Sequence, residues 1–137
     1  MRIQLLVICV SVLLFGCKEA EEPIMEMPEV EASEILFEGT FSSNDHPTSG
    51  TVRVESDGQV TNLVLVDFKT DAGPDLRVYL SEDVTDESFI DLGALKATSG
   101  DFFYEIQNNT DVESFNRVLI WCEDFSVLFG NAELNKQ

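Results

Sequence analysis

The chain predicts an all-β protein: a single antiparallel β-sandwich or flattened barrel of about eight short strands, placed after an N-terminal leader and a tether. Three observations carry this expectation. From about Glu34 onward, short segments with period-two or continuous apolar content alternate with turn residues, the pattern of an antiparallel sheet. No segment sustains a helical period over three turns, Val84–Ser88 offering a single turn at most. Roughly a hundred residues carrying that many strands suit one sandwich or closed sheet.

The leader occupies residues 1–16. Met1 and Arg2 form a minimal positive region, Ile3 to Phe15 is apolar except for Gln4 and Ser11, and Gly16 supplies a small residue before Cys17. That apolar run fits the roughly 7–15 residues of a signal peptide and falls short of the ~20 needed to span a bilayer as a helix. The box Leu14-Phe15-Gly16-Cys17 is similar to the one bacterial lipoprotein signal peptidase reads. The resemblance implies cleavage after Gly16, lipid chains of the palmitate type on Cys17, and a membrane as the attached partner. Two or more chains anchor stably where one does not. Lys18, standing where an aspartate would favour inner-membrane retention, points to the outer membrane. The run Lys18-Glu19-Ala20-Glu21-Glu22 resembles the acidic export signal of Bacteroidetes surface lipoproteins and implies surface display.

Residues 17–33 read as an acidic tether. Pro23 and Pro28 punctuate a Glu-rich stretch with few apolar side chains, too few to bury a core. The flexible part spans about 20–24 Å root-mean-square, and charge repulsion and proline stiffen it further.

The domain expected over 34–135 is read as strands near Ile35–Phe41, Gly50–Glu55, Gln59–Phe68, Asp75–Ser81, Phe89–Leu92, Phe102–Gln107, Arg117–Cys122 and Phe125–Phe129. Ser56-Asp57-Gly58 is a hairpin signal. Ala72-Gly73-Pro74-Asp75, Ser99-Gly100-Asp101 and Asn108-Asn109-Thr110-Asp111 are the other turns. Nine of the ten phenylalanines fall in this region, spread along the strands, and packing between layers accounts for most of them.

Charge excludes some functions. The formal net charge is -18, and loss of residues 1–16 removes Arg2 and no acid, giving -19. Such a surface repels nucleic acid and anionic headgroups, so neither is an expected partner and attachment has to come from the lipid. Neither Asp67, Asp71 and Asp75 nor Asp83, Asp86 and Glu87 follow calcium-loop spacing, and they read as solvated loops. No G-x-S-x-G, H-E-x-x-H or phosphate loop occurs, and no carboxylate pair stands out, so the sequence points away from an enzyme.

Cys122 and His46 are the candidate site residues. Cys122 is the one thiol remaining after the leader and Cys17 are set aside, so it has no intramolecular disulfide partner. Along 117–122, Val118, Ile120 and Cys122 face one way and Leu119 and Trp121 the other, as in a strand covered on both sides. Glu123 and Asp124 follow, and adjacent carboxylates disfavour a thiolate. Reactive cysteines sit beside positive groups, and only Arg117 is near in sequence. The plainer reading of Cys122 is a buried core thiol. His46, the only histidine, lies in Ser43-Asn44-Asp45-His46-Pro47, where Pro47 holds it extended. Its plainer reading is a loop histidine bonded to a local partner. One histidine and one cysteine are too few for structural zinc, and no metal is expected.

Several segments together resemble a DM13 domain over about Glu38 to Leu134. They are Gly39-Thr40-Phe41, His46 with Ser49-Gly50-Thr51-Val52, and Gly73-Pro74-Asp75-Leu76 leading into Val78-Tyr79-Leu80-Ser81. Leu92-Gly93 and Leu95-Lys96 follow. The most specific piece is Val118-Leu119-Ile120-Trp121-Cys122 with Phe125-Ser126-Val127, Phe129-Gly130, Ala132 and Leu134. The resemblance implies an electron-transfer accessory in the cell envelope, with Cys122 at the family cysteine working as a thiol or binding a group such as haem. Non-covalent haem through Cys122, His46 or both is compatible with haem ligation, while the absence of C-x-x-C-H excludes covalent c-type attachment. An envelope redox or surface protein is the implied partner. Two other functions remain open: a binding or adhesion module in which Cys122 is only core, and an envelope-structural lipoprotein.

Overall fold

A computed structural model describes residues 32–137. The leader expected over 1–16, the lipidation expected at Cys17 and nearly all of the tether over 17–33 lie outside the described residues.

Nine strands form in order: β1 (Glu34–Ser43), β2 (Thr48–Ser56), β3 (Thr61–Thr70), β4 (Leu76–Ser81), β5 (Phe89–Ala94), β6 (Ser99–Ile106), β7 (Arg117–Cys122), β8 (Val127–Glu133) and the two-residue β9 (Asn135–Lys136). Eight of them make one antiparallel sheet in the order β5-β4-β7-β8-β1-β2-β3-β6, with β9 added beside β1. The sheet curls until its end strands, β5 and β6, face each other. The result is a flattened barrel with one seam, the architecture the alternation predicts.

The interior follows from the alternation. Val52 and Val54 on β2, Leu63 and Leu65 on β3, Val78 and Leu80 on β4, and Val118, Ile120 and Cys122 on β7 are all fully buried in one cluster. Leu119, Trp121 and Tyr79 form a second buried cluster on the outer face of β4 and β7, so β7 is covered on both sides, as its sequence implies. Tyr104 closes part of the seam. Its hydroxyl donates to Ala94 O at 2.8 Å and accepts from Lys96 N at 2.9 Å, and burial raises its pKa, keeping the proton it donates. Away from this clasp the seam opens into a cleft of about 500 Å3 lined by Ile90, Leu92, Glu105, Gln107 and Phe115 among others.

The connections sort to two ends. The upper end carries residues 44–47, 71–75, 95–98 and 123–126. The lower end carries 57–60, 82–88, 107–116 and the start of β1, where Glu34 pairs with Ser56.

Several local expectations are corrected. The last long strand begins at Val127 and not at Phe125, and it runs on to Glu133, because residues 123–126 make the turn. Ser126 takes a positive φ of 50° there, and Phe125 stands 68% exposed at the tip. Ser99-Gly100-Asp101 is not a turn but the start of β6. Gly100 (φ 112°) pairs with Phe68 across a bulge, and Asp101 Oδ1 accepts from Asp67 N at 2.7 Å. A bulge and a turn use the same residue types, and only the partner strand separates them. Val84–Ser88 makes no helical turn. The 82–88 loop folds so that the Ser81 hydroxyl lies 3.1 and 3.0 Å from the Thr85 and Ser88 carbonyl oxygens. The strand expected from Gln59 begins at Thr61, because Asp57 Oδ1 accepts from Gln59 N at 2.8 Å and Val60 N at 2.7 Å and closes a four-residue turn.

Asp57, Asp83 and Asp111 each cap a loop in this way, and all three carboxyls are held below their ordinary value. The main causes are the Val60 N–H at Asp57, the Thr85 hydroxyl at Asp83 and the Ser114 hydroxyl at Asp111. A depressed folded pKa stabilises above the unfolded value, here 3.8, and that contribution is lost as the pH falls below it. A variant carrying Asp57→Asn, Asp83→Asn and Asp111→Asn is expected to show a flatter fall of stability below pH 3.8 in denaturant titrations. Superimposable acid limbs in parent and variant would refute the assignment.

Candidate functional site

Both sequence-derived site residues lie at the upper end, and a single segment, 71–75, connects them. His46 sits in the β1–β2 connection, which lies against β8: Asn44 N donates to Phe129 O at 2.9 Å and Asp45 N to Leu128 O at 3.1 Å. This docking stacks the His46 ring on Phe129, centroids 3.8 Å apart at 26°. His46 Nδ1 meets Asp71 Oδ2 at 3.0 Å, both side chains partly exposed. Behind them the Thr48 hydroxyl contacts His46 O at 3.2 Å and the Thr70 hydroxyl at 3.1 Å, tying the two connections together.

The 71–75 segment crosses from β3 to β4 and is held at each step. Asp71 is bonded to His46. Gly73 lies against the Phe129 ring so closely that a Cβ there would fall 2.8 Å from Phe129 Cζ. Pro74 O accepts from Cys122 Sγ at 3.1 Å. Asp75, at a positive φ of 46°, accepts from Glu123 N at 3.1 Å, and its carboxylate receives Arg77 Nε at 3.1 Å.

Beneath the segment, Cys122 ends β7 with no solvent exposure, its side chain in the main core. It is a free thiol. Arg77, which pairs with Trp121, is committed to Asp75 and Asp91, and Arg117 lies at the opposite end of β7, bonded to Glu133. The hydrogen-bond partner of the thiol is the neutral Pro74 carbonyl. On the other face of the strand, Phe89 and Tyr79 stack at 4.2 Å, with Trp121 6.5 Å beyond. No hydrogen bond or ring contact joins His46 to Cys122; Phe129 and the 71–75 segment link them.

The profile of the family described as "Electron transfer DM13" matches residues 40–134 of this chain. The chain belongs to the DM13 family. The match runs from the middle of β1 to Leu134 and so includes His46, the 71–75 segment and Cys122. No curated protein and no solved structure shows significant similarity.

The DM13 resemblance raised haem as a ligand, and the geometry does not fit it. Cys122 Sγ is enclosed and bonded to Pro74 O. Neither Cys122 nor His46 lines any of the four principal clefts. The cleft nearest the segment, about 400 Å3, is lined by Ala72, Gly73, Asp75, Leu76, Lys96 and Thr98 among others, which include no haem ligand. Among the described residues, no group of three or more His, Cys, Asp or Glu side chains is placed to hold a metal ion. Among the described residues, no helix is long and apolar enough to cross a membrane.

Sequence reasoning missed Asp71 and Phe129 as partners of His46. Asp71 reads as one more solvated acid and Phe129 as one more core ring, and no spacing in the chain pairs position 46 with either. Only the folding of β1, β3 and β8 to one end of the barrel brings them together.

Proposed function

We propose that this DM13 protein is a lipid-anchored, extracytoplasmic electron-transfer accessory whose redox group is the Cys122 thiol. The observation that carries the reading is the DM13 match over residues 40–134, which takes in a lone thiol set under a single loop segment at one end of the barrel. The chemistry is thiol–disulfide exchange with an envelope protein. The Cys122 thiolate attacks an exposed partner disulfide, its S–S bond breaks, and one partner sulfur leaves as a thiolate while the thiol proton passes to solvent. A donor dithiol completes the transfer: one of its thiolates attacks the Cys122 sulfur of the mixed disulfide and releases the second acceptor sulfur as a thiol. Its other thiolate then attacks the first, forming the donor's disulfide and freeing Cys122, so two electrons pass from the donor dithiol to the acceptor disulfide and Cys122 is regenerated. The chain enters the barrel at the lower end, opposite Cys122, so a flexible tether from a lipidated Cys17 leaves the Cys122 end free to meet a second envelope protein.

A second reading is favoured by one observation, the complete burial of Cys122: a binding module in which the cysteine is only core. Incubation of the native, full-length protein with glutathione disulfide separates them. The redox reading expects one glutathionyl adduct by intact mass, reversed by dithiothreitol and absent in Cys122→Ser. An adduct formed only after denaturation refutes it and leaves the binding module. Added haem is expected to give the same spectrum in parent and Cys122→Ser, and a Soret band lost in the variant would replace thiol exchange with ligation. Cys17→Ser is expected to move the protein from the membrane to the soluble fraction, and retention in the membrane would overturn the anchor.

A further inference from the structure

We infer that His46 and Asp71 are positioning residues that latch the 71–75 segment over Cys122, so that access to the thiol is set by opening of this segment and not by unfolding of the barrel. The inference rests on the proposed thiol function, because a latch matters only if the thiol is used. It assigns His46 a role different from that of a second ligand beside Cys122.

The segment is a loop, and Asp71, Ala72, Pro74 and Asp75 are exposed. It contributes no side chain to the main core until Leu76. Its hold on the barrel consists of separate small contacts: the His46–Asp71 pair at 3.0 Å, Gly73 against Phe129, the Cys122–Pro74 bond at 3.1 Å, the Glu123–Asp75 bond at 3.1 Å and the Arg77–Asp75 pair at 3.1 Å. Regions with few buried apolar contacts open locally at far lower cost than strands of the core. Cys122 is the opposite case, because it is fully buried in the main core, pairs with buried Leu76 and ends a strand paired on both sides, with β4 and β8. Moving the strand costs the whole fold, whereas lifting the loop costs only these contacts.

The His46–Asp71 pair is a side-chain contact at the first residue of the segment, made outside the thiol's own strand and turn. It joins the β1–β2 connection to the start of the segment. The stacking of His46 on Phe129 adds a shared wall, since the Phe129 ring touches His46 and packs under Gly73. Loss of the pair therefore frees the segment at its first residue, and loss of the imidazole also frees its packing surface.

The test measures native-state labelling of Cys122 in the full chain by 4,4′-dithiodipyridine. The thiolate displaces one pyridine-4-thiolate from the reagent's S–S bond, and that leaving group takes up a proton as the coloured thiopyridone. Asp71→Asn is expected to label about threefold to fivefold faster than the parent, the span that weakening one exposed side-chain contact supports. His46→Ala is expected to label roughly tenfold faster, since it removes the ring contact as well. His46→Gln, which keeps a donor for Asp71, should restore part of the protection. Lys136→Gln breaks a surface pair at the lower end and should label at the parent rate. Val54→Ala weakens the core and should lower global stability without faster labelling in the absence of denaturant. Parental rates in both Asp71→Asn and His46→Ala overturn the latch. So does acceleration by Val54→Ala matching its loss of stability, since the thiol would then be reached only by global unfolding. If the latch variants label faster yet glutathione disulfide adds to none of the proteins, the latch stands and the electron-transfer reading falls.

Discussion

Gly39→Ala is expected to cost about 3 kcal/mol or more and to lower the unfolding midpoint by roughly 12–24 °C. A Cβ at residue 39 would fall onto the Glu133 carbonyl oxygen, with Glu133 C 3.0 Å away and Ala132 Cβ 3.6 Å away. β1 pairs with β8 through Phe41 and Ala132 and then with β9 through Glu38 and Asn135, so Gly39 lies where it changes partner. The obstructing atoms are backbone and cannot rotate aside, so relief requires β1 to separate from β8. Gly58 is the control. No atom lies within 4 Å of its Cβ position, and its φ of +89° confines the penalty to backbone strain, about 1–2 kcal/mol. Thermal unfolding followed by circular dichroism compares the two, and a Gly39→Ala midpoint within error of Gly58→Ala would overturn the steric argument.

Phe68→Ala is expected to cost about 3–5 kcal/mol in denaturant unfolding. Phe68 is 1% exposed and stands between two rings, edge-on to Phe41 at 5.2 Å and 69° and to Phe102 at 5.6 Å and 84°. Phe102 in turn meets Tyr104, the residue that clasps the seam. Truncation removes a large buried side chain and two ring contacts, and the strands around it are too fully paired to collapse into the space. In a double-mutant cycle, Phe41→Leu with Phe68→Leu should show a coupling of about 0.5–1.5 kcal/mol. Phe125→Ala, at the exposed tip of the β7–β8 turn, should lie within about 0.5 kcal/mol of the parent. Equal losses at Phe68 and Phe125 would contradict the assignment of core and surface.

These rings illustrate what could be read from the chain. The positions of most strands were legible because burial on one face of a pleated strand imposes a two-residue period. Cys122 was legible as an inward residue for the same reason. Phe125 was misread because an apolar side chain in a turn has the same local signature as one that opens a strand. Gly100 was misread because a bulge in β6 exists only relative to β3. For the candidate site, both His46 and Cys122 were visible as residue types, but the link between them was not. It runs through Asp71, Gly73 and Phe129, which belong to three different parts of the chain.

By itself, the sequence determined the class of fold and the family, together with the presence of one thiol and one imidazole in the domain. Each of these depends on local periodicity or on residues close together in the chain. Only the tertiary structure decided that the sheet curls into a barrel with a seam at β5 and β6, that Cys122 is enclosed and not presented, and that His46 bears on the loop above it. The physical reason is that strand order and loop docking are set by contacts between residues far apart in sequence, here 46 with 71 and 74 with 122, whose pairing no local pattern encodes.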